Sequence, residues 1–501
     1  MNNSLIKATL TISGLSILTR ALSFGFRIYL SNALGAENLG VYQISLSVFF
    51  LFATLSAGLP LVTSRKTATA LALGKNNESS FLSASLLIGL SLSATLCTLF
   101  YLLPELFSPL FSDVRCTPIF TLLLPSCLST TVYGIIRGWF WGRKNYSLFA
   151  ITEFVECVIR IALGLLLING IIFSIDGVHA TALSFTISDY VCTGILVLLF
   201  FSFGGKLAKP QGFREITKTA LPLTAVRIYN SLVNSLIAII VPAMLIKYGF
   251  DKSVAVADYG RAMGMAIPLL LTPSTLTGSL ATVLVPELAT LKAKNNHYEL
   301  KQKINASLVF CILCSSLFVA LFLPLGKEIG VFLYNDESAG TFVSISAFIM
   351  LPMSINGITT TILDSLGLEM KTMKNYVIGS AFLIAVLFLF PSLIGTYAIS
   401  LGLGLSYVVT GGLNILELRK IGITVKAPLK MIISETITIG VVAFGATFIK
   451  NLLFGLPIII KIIIPAVFIT IFYALTNSLY GYVNLSAFYE KFVKRKIKNS
   501  P

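Results

Sequence analysis

Arg20 and Arg27 are spaced i, i+7 inside TRALSFGFRIYLSNALGAENLGVYQ, a stretch otherwise apolar enough to open a first membrane span. At 3.6 residues per turn this is close to two full turns, so both guanidinium groups project from one helix face. An arginine at mid-bilayer depth costs about 2.5 to 3.5 kcal/mol on insertion scales, while each Leu, Ile or Phe returns only about 0.3 to 0.6 kcal/mol. Two such residues in one span call for a functional reason. A second group, Glu153, Glu156 and Arg160, follows the i, i+3, i+7 spacing of one helical face, with Glu156 and Arg160 an i, i+4 pair in the favourable order. Arg227 stands in a later apolar run, and Arg261 follows Asp258 and Tyr259 at the outer entrance to the next. A cavity lined by arginine favours anions, because guanidinium grips phosphate in a bidentate fashion and keeps its charge at any accessible pH; pyrophosphate is a natural match.

The candidate substrate-binding residues are therefore Arg20, Arg27, Arg227 and Arg261, with Glu153, Glu156 and Arg160 as charge partners in the cavity. An alternative stays open: Glu153 or Glu156 neutralises Arg20 or Arg27 across a helix contact, as a buried pair that fixes packing and nothing more. Asp189, Asp364, Glu435 and Lys461 are expected near helix ends, where they can snorkel to the interface.

Enzyme chemistry finds no support. The two histidines, His179 and His297, are far apart in sequence and form no cluster for a metal or a general base. Cys311 and Cys314 make a C-x-x-C within an apolar run with no further ligands, and the seven cysteines, odd in number, read as small buried residues. No G-x-x-x-x-G-K-[ST] loop is present, so transport would draw on a gradient, the membrane potential or downhill substrate flow. The expectation is a protein that is not an enzyme, with no catalytic residue, metal or cofactor.

Composition sets the class. The 501 residues are 56% hydrophobic and 12% charged, with a mean hydropathy of +0.89, which is too apolar for a soluble chain of this length. The net charge of +16 does not point to nucleic acid, because the basic residues sit in short loops and in the tail KFVKRKIKN, where membrane lipid headgroups and cytoplasmic orientation account for them. Fourteen apolar runs are long enough to cross about 30 Å of hydrocarbon. They lie near 8–31, 40–63, 81–103, 118–140, 148–172, 178–204, 217–246, 262–286, 304–325, 341–366, 374–391, 394–416, 428–449 and 454–478. With the N-terminus inside, only Arg115, Lys247, Lys252, Arg261, Lys327 and Lys450 fall in outside segments. Arg20, Arg27, Arg160, Arg227 and Lys461 fall within spans, and the rest of the 37 Lys and Arg residues fall inside. That alternation supports a multi-pass cell-membrane protein with both termini cytoplasmic and the first span retained.

A faint repeat relates the fourth and tenth spans. LPSCLSTTVYGIIRGWFWGRKNY (Leu124 to Tyr146) and LPMSINGITTTILDSLGLEMKTMKNY (Leu351 to Tyr376) both open on Leu-Pro and close on Lys-Asn-Tyr. An offset of six spans preserves topology in both copies, so the expected fold is an all-α polytopic membrane protein of 14 transmembrane helices, with two six-helix lobes around a central cavity and two appended C-terminal helices. The expected divisions are an N-lobe over 1–204, a C-lobe over 205–418, two helices over 419–480 and a basic cytoplasmic tail over 481–501.

TRALSFGFRIYLSNALGAENLGVYQ resembles the opening signature of the polysaccharide-exporter branch of the multidrug/oligosaccharidyl-lipid/polysaccharide flippase superfamily. RGWFWGRKN (137–145), TEFVECVIRIALG (152–164) and LLTPSTLTGSLATVLVPELA (270–289) resemble the corresponding segments of the stage V sporulation protein B family of endospore formers. The resemblance implies a lobed fold working by alternating access, and export of a polyprenyl-phosphate-linked saccharide, an undecaprenyl-pyrophosphate precursor used in spore cortex peptidoglycan. In the related lipid II flippases arginines on helices 1, 2 and 8 line the cavity, which by motif implicates Arg20, Arg27 and Arg261. This chain departs in two places: no basic residue lies in the second span, 40–63, and Ile28 follows Arg27 where those flippases often carry an acid. Two other readings remain open, a cation-coupled multidrug exporter of the same fold and a non-transporting membrane scaffold for cell-wall synthases.

Overall fold

The computed structural model describes residues 3–74, 78–423 and 428–482, so the basic tail expected over 481–501 lies outside the described residues from position 483 onward. Every regular element among the described residues is helical. The chain forms two compact units, Met1–Gly264 and Met265–Pro501. The first carries α1 (Asn3–Ala53), α2 (Leu59–Ala72), α3 (Glu78–Leu102), α4 (Cys116–Gly142, bent at Pro125), α5 (Tyr146–Ile168), α6 (Gly177–Ser202), α7 (Phe213–Lys247) and most of α8 (Lys252–Leu271). The second carries α9 (Ser274–Ala293), α10 (His297–Tyr334), α11 (Glu337–Ser365), α12 (Glu369–Leu389), α13 (Ala398–Lys420), α14 (Pro428–Leu452) and α15 (Ile458–Leu479). The boundary falls inside α8 at a π-helical turn, Gly260–Ala266. α7 and the start of α8, which follow the expected division at residue 204, pack on α1.

Twelve described segments are long and apolar enough to cross a membrane. The first, Gly14–Ala72, has 59 residues, about 88 Å if fully helical, which is ample for two crossings of about 30 Å. Its helix is interrupted at Gly35, whose φ of 73° only glycine adopts readily, so the run bends between the two expected spans. α5, of 23 residues, also has spanning length and carries Glu153, Glu156 and Arg160. With these, the fourteen crossings read from the sequence agree with the helices observed.

Water cannot drive helices together inside lipid, so close backbone approach and buried polar contacts must. In the first unit Gly138 of α4 lies directly against the backbone carbonyl of Pro60, leaving no room for a Cβ. Thr131 of α4 meets Ser56 at 2.8 Å and Ser93 of α3 at 2.9 Å, joining three elements through hydroxyls. Trp139, 1% exposed, packs edge-on against Phe200 of α6 with ring centroids 4.8 Å apart. Arg143 lies over the indole at 4.1 Å and pairs with Glu78. The RGWFWGRKN stretch is thus in large part a clamp between α3, α4 and α6. In the second unit α12 and α13 are joined by Asn375 Nδ2 donating to Asn414 Oδ1 at 2.9 Å, and Asn414 Nδ2 donates in turn to Thr360 of α11 at 3.0 Å.

Candidate functional site: a basic cavity in the first unit

α1 ends at Ala53, and a tight turn through Thr54–Ser56 delivers the chain to α2, where Pro60 occupies the first turn and its missing N–H costs nothing. That corner, with α4 and α7, frames two adjoining cavities of about 540 Å³ and 210 Å³. Both are lined by Phe50, Thr54, Ala57 and Arg227. The larger adds Asn230 and Asn234 from α7, and the smaller adds Thr130, Tyr133 and Arg137 from α4. Together they fall within the volume range of small-ligand sites, with a polar lining unusual for a membrane interior.

Arg137 is the half-buried cation of the site. It extends along its own helix between Tyr133 and Trp141, one turn to either side, with ring centroids at 6.0 Å and 5.0 Å. Stacking on aromatic faces partly replaces the water that this guanidinium loses. Tyr133 is itself fixed by a 3.2 Å contact between its hydroxyl and Thr152 of α5. The charges acting on Arg137 are Glu153, Arg227 and Glu156. Those acting on Glu153 are Arg137, Glu156 and Arg20. Arg137 and Arg227 thus bring like charge to one polar space, an arrangement that an anion between them relieves.

Of the sequence-derived candidates, Arg227 lines both cavities and is exposed. Arg20 is exposed on α1 and acts electrostatically on Glu153, while half-buried Arg27 acts with Arg160 on the buried Tyr42. Glu156 pairs with Arg160 on its own helix. Arg160 also lies 4.4 Å from the Phe185 ring centroid and donates from Nε to Ser188 at 3.3 Å. Arg261 lies in the π-helical turn and pairs with Asp258 at 2.8 Å; it is absent from the lining of these cavities. Arg137, by contrast, is not among the sequence-derived candidates, because its place near the end of the fourth span reads as that of a loop cation. The signal available was Tyr133-x-x-x-Arg137-x-x-x-Trp141, an arginine flanked one turn each way by aromatics.

Two charged residues expected to snorkel are instead buried. Asp189, 6% exposed on α6, accepts from Ser129 and from Thr130 Oγ1 at 3.0 Å, so a polar link runs from the cavity wall into the unit. Glu435 is fully buried on α14.

At the edge of the first unit Arg115 pairs with Glu37 at 2.6 Å and with Asp113 at 2.8 Å, and Lys252 stands 3.8 Å from Asp113. Burial alone would raise the Asp113 carboxyl. Hydrogen bonds from the Arg115 side chain and backbone, with the charges of Arg115 and Lys252, outweigh burial and hold it below the usual carboxylate range. These residues tie α1, the segment before α4 and the start of α8 together.

Comparison with known proteins places these features in context. The profile of the family described as polysaccharide biosynthesis protein matches residues 5–292. Stage V sporulation protein B of Bacillus subtilis (strain 168) is 26% identical over 394 residues, 75% of each chain. Sporulation protein YkvU of the same organism is 22% identical over 316 residues, covering 61% of this chain and 70% of that one. Among solved structures, lipid II flippase MurJ in an inward closed conformation aligns with a TM-score of 0.72 at 15% identity, over 94% of this chain and 99% of that one. An inward-facing multidrug resistance MATE family transporter of the MOP superfamily aligns with a TM-score of 0.67 at 15% identity, over 84% and 100%. The fold is that of MOP-superfamily transporters.

Proposed function

Since the chain belongs to the polysaccharide biosynthesis protein family, we propose that it carries a lipid-linked saccharide across the membrane, with the lipid's phosphate groups held at the first-unit cavity. The observation that carries this reading is the joint exposure of Arg137 and Arg227 to the smaller cavity, which also presents the hydroxyls of Thr54 and Thr130, with the amides of Asn230 and Asn234 in the larger cavity adjoining it. Guanidinium pairs grip a pyrophosphate, and amides and hydroxyls suit sugar hydroxyls. Arg20 and Arg27 add positive field on α1, with Glu153 moderating it. Arg261 is a second, separate cation of the same transport route. The similarity to stage V sporulation protein B supports an undecaprenyl-pyrophosphate peptidoglycan precursor for the spore cortex as the cargo. Both termini lie in the cytoplasm, and the site opens alternately to the two sides. A cation-coupled drug exporter fits less well, because the lining has two arginines and no carboxylate among the described residues.

The test is a flipping assay in proteoliposomes with a fluorescent polyprenyl-pyrophosphate saccharide. Transport by the wild type, lost in Arg137→Ala/Arg227→Ala at equal protein incorporation, supports the reading. Wild-type activity toward cationic drugs but not toward the lipid-linked saccharide refutes it.

A further inference from the structure

The second unit holds a carboxyl group for which the anion site has no use. Glu435 of α14 is 0% exposed, enclosed where α14 packs on α10 and α15. Its Oε2 lies 2.6 Å from the Tyr473 hydroxyl of α15, and that same hydroxyl lies 3.0 Å from the backbone carbonyl of Leu313 on α10. A phenol carries one hydrogen. Were Glu435 ionised, Tyr473 could donate to only one of these oxygens, and the other contact would set two acceptors against each other at hydrogen-bond distance.

The other carboxyl oxygen tells the same story. Glu435 Oε1, Asn477 Oδ1 and Ser316 Oγ are all buried, and none has a hydrogen-bond partner among the described residues. Asn477 and Ser316 stand near enough to the carboxyl to offer it hydrogen bonds, but neither is placed with hydrogen-bond geometry. The Asn477 amide already donates to the backbone oxygen of Tyr473 at 3.1 Å. No described charged side chain acts on Glu435. The other titratable groups on the surrounding helices are His297, Tyr298, Glu299, Lys301 and Lys303 at the start of α10, Cys311 and Cys314 in its middle, Lys327, Glu328 and Tyr334 towards its end, Lys430 and Lys450 of α14, Lys461 of α15, and Tyr480 and Tyr482 beyond it. Lys450 is already paired with Glu328 at 3.0 Å and lies about 22 Å along α14 from Glu435. An ionised carboxylate without a counter-ion in such a place is disfavoured far beyond what one phenol hydrogen bond returns.

One added proton resolves the conflict at Tyr473. An acid O–H at Oε2 donates to the Tyr473 oxygen, Tyr473 donates to the Leu313 carbonyl, and Oε1 is left to accept from the Ser316 hydroxyl. We propose that Glu435 is a proton-binding site, occupied as the neutral acid while α10, α14 and α15 are packed together and emptied to water as a carboxylate when they part. The Glu435 O–H bond breaks on release and forms on uptake, with no other reactant needed. A metal cation is the weaker occupant, since the three unpartnered side-chain oxygens fall short of the six or more that hard cations take. The inference is independent of what the protein carries.

Infrared spectroscopy on the full chain in lipid nanodiscs tests it. At neutral pH in choline chloride the wild type should show a carboxylic-acid carbonyl band that is missing in Glu435→Gln. In Tyr473→Phe the same band should shift to higher frequency, because its hydrogen-bond partner is gone. The second variant keeps the test decisive if the first does not fold. A carboxylate band lost in Glu435→Gln, or no acid-band shift in Tyr473→Phe, overturns the proposal. So does disappearance of the wild-type acid band when sodium replaces choline, which would assign the site to a metal cation.

Discussion

Glu156 and Arg160 form an ion pair one turn apart on α5, and the guanidinium is further held by the Phe185 ring and the Ser188 hydroxyl. Glu156 is thus ion-paired within its own helix, while Glu153 lies in the field of both Arg137 and Arg20. Glu156→Gln leaves Arg160 half-buried without its counter-charge, which should destabilise the protein by about 1 to 3 kcal/mol, below the range for fully buried pairs. Thermal unfolding in one detergent measures this, and Glu156→Gln/Arg160→Gln should recover part of the loss. Equal losses in single and double variants would mean that the pair contributes no coupling.

Glu153 acts on the cavity without lining it. Glu153→Gln removes negative charge beside Arg137, so binding of a polyprenyl pyrophosphate should tighten, by a factor that shrinks as salt is raised. Titration of labelled ligand at low and high ionic strength reads both parts of the expectation.

Asp113 supplies a pH signature. Its carboxyl is held below the ordinary value of about 3.9 in the folded protein. The stabilisation is therefore complete above that value and is lost as pH falls through the lower folded value. Thermal midpoints recorded on the acid side should drop for the wild type. In Asp113→Asn that part of the drop should be missing, with a lower midpoint at neutral pH.

Gly138 tests the packing of the first unit. A Cβ at this position would overlap the Pro60 carbonyl, which cannot rotate away, so Gly138→Ala should cost about 1 to 3 kcal/mol or more. Gly412 of α13 is exposed with open space at its Cβ position, and Gly412→Ala should be neutral or stabilising by up to about 1 kcal/mol. Comparing the two by thermal unfolding separates helix propensity from close approach.

Much of the fold was legible because membrane insertion is written in one dimension. Span length and the Glu156–Arg160 spacing are local properties, and both reappear in the helices observed. The alternative in which Glu153 or Glu156 neutralises Arg20 or Arg27 depends on contacts between helices, which spacing along one helix cannot report. Arg137 illustrates the same limit. Its position near a span end reads as a loop charge, yet α4 runs on to Gly142 and the side chain lines the cavity. Glu435 could not be separated from a snorkelling residue, since its burial depends on Tyr473 and Asn477 in the next helix and Ser316 several helices earlier.

The central claim is that Arg137 and Arg227 together hold the phosphate of a lipid-linked saccharide. Native mass spectrometry of the purified protein with a defined undecaprenyl-pyrophosphate saccharide tests it most directly. A charge-assisted hydrogen bond is worth about 1.5 to 3 kcal/mol, so Arg137→Ala/Arg227→Ala should weaken binding on the order of 100-fold or more. Arg137→Lys/Arg227→Lys should retain part of it, because charge persists where the bidentate grip is gone. Undiminished binding in the double alanine variant would contradict the account.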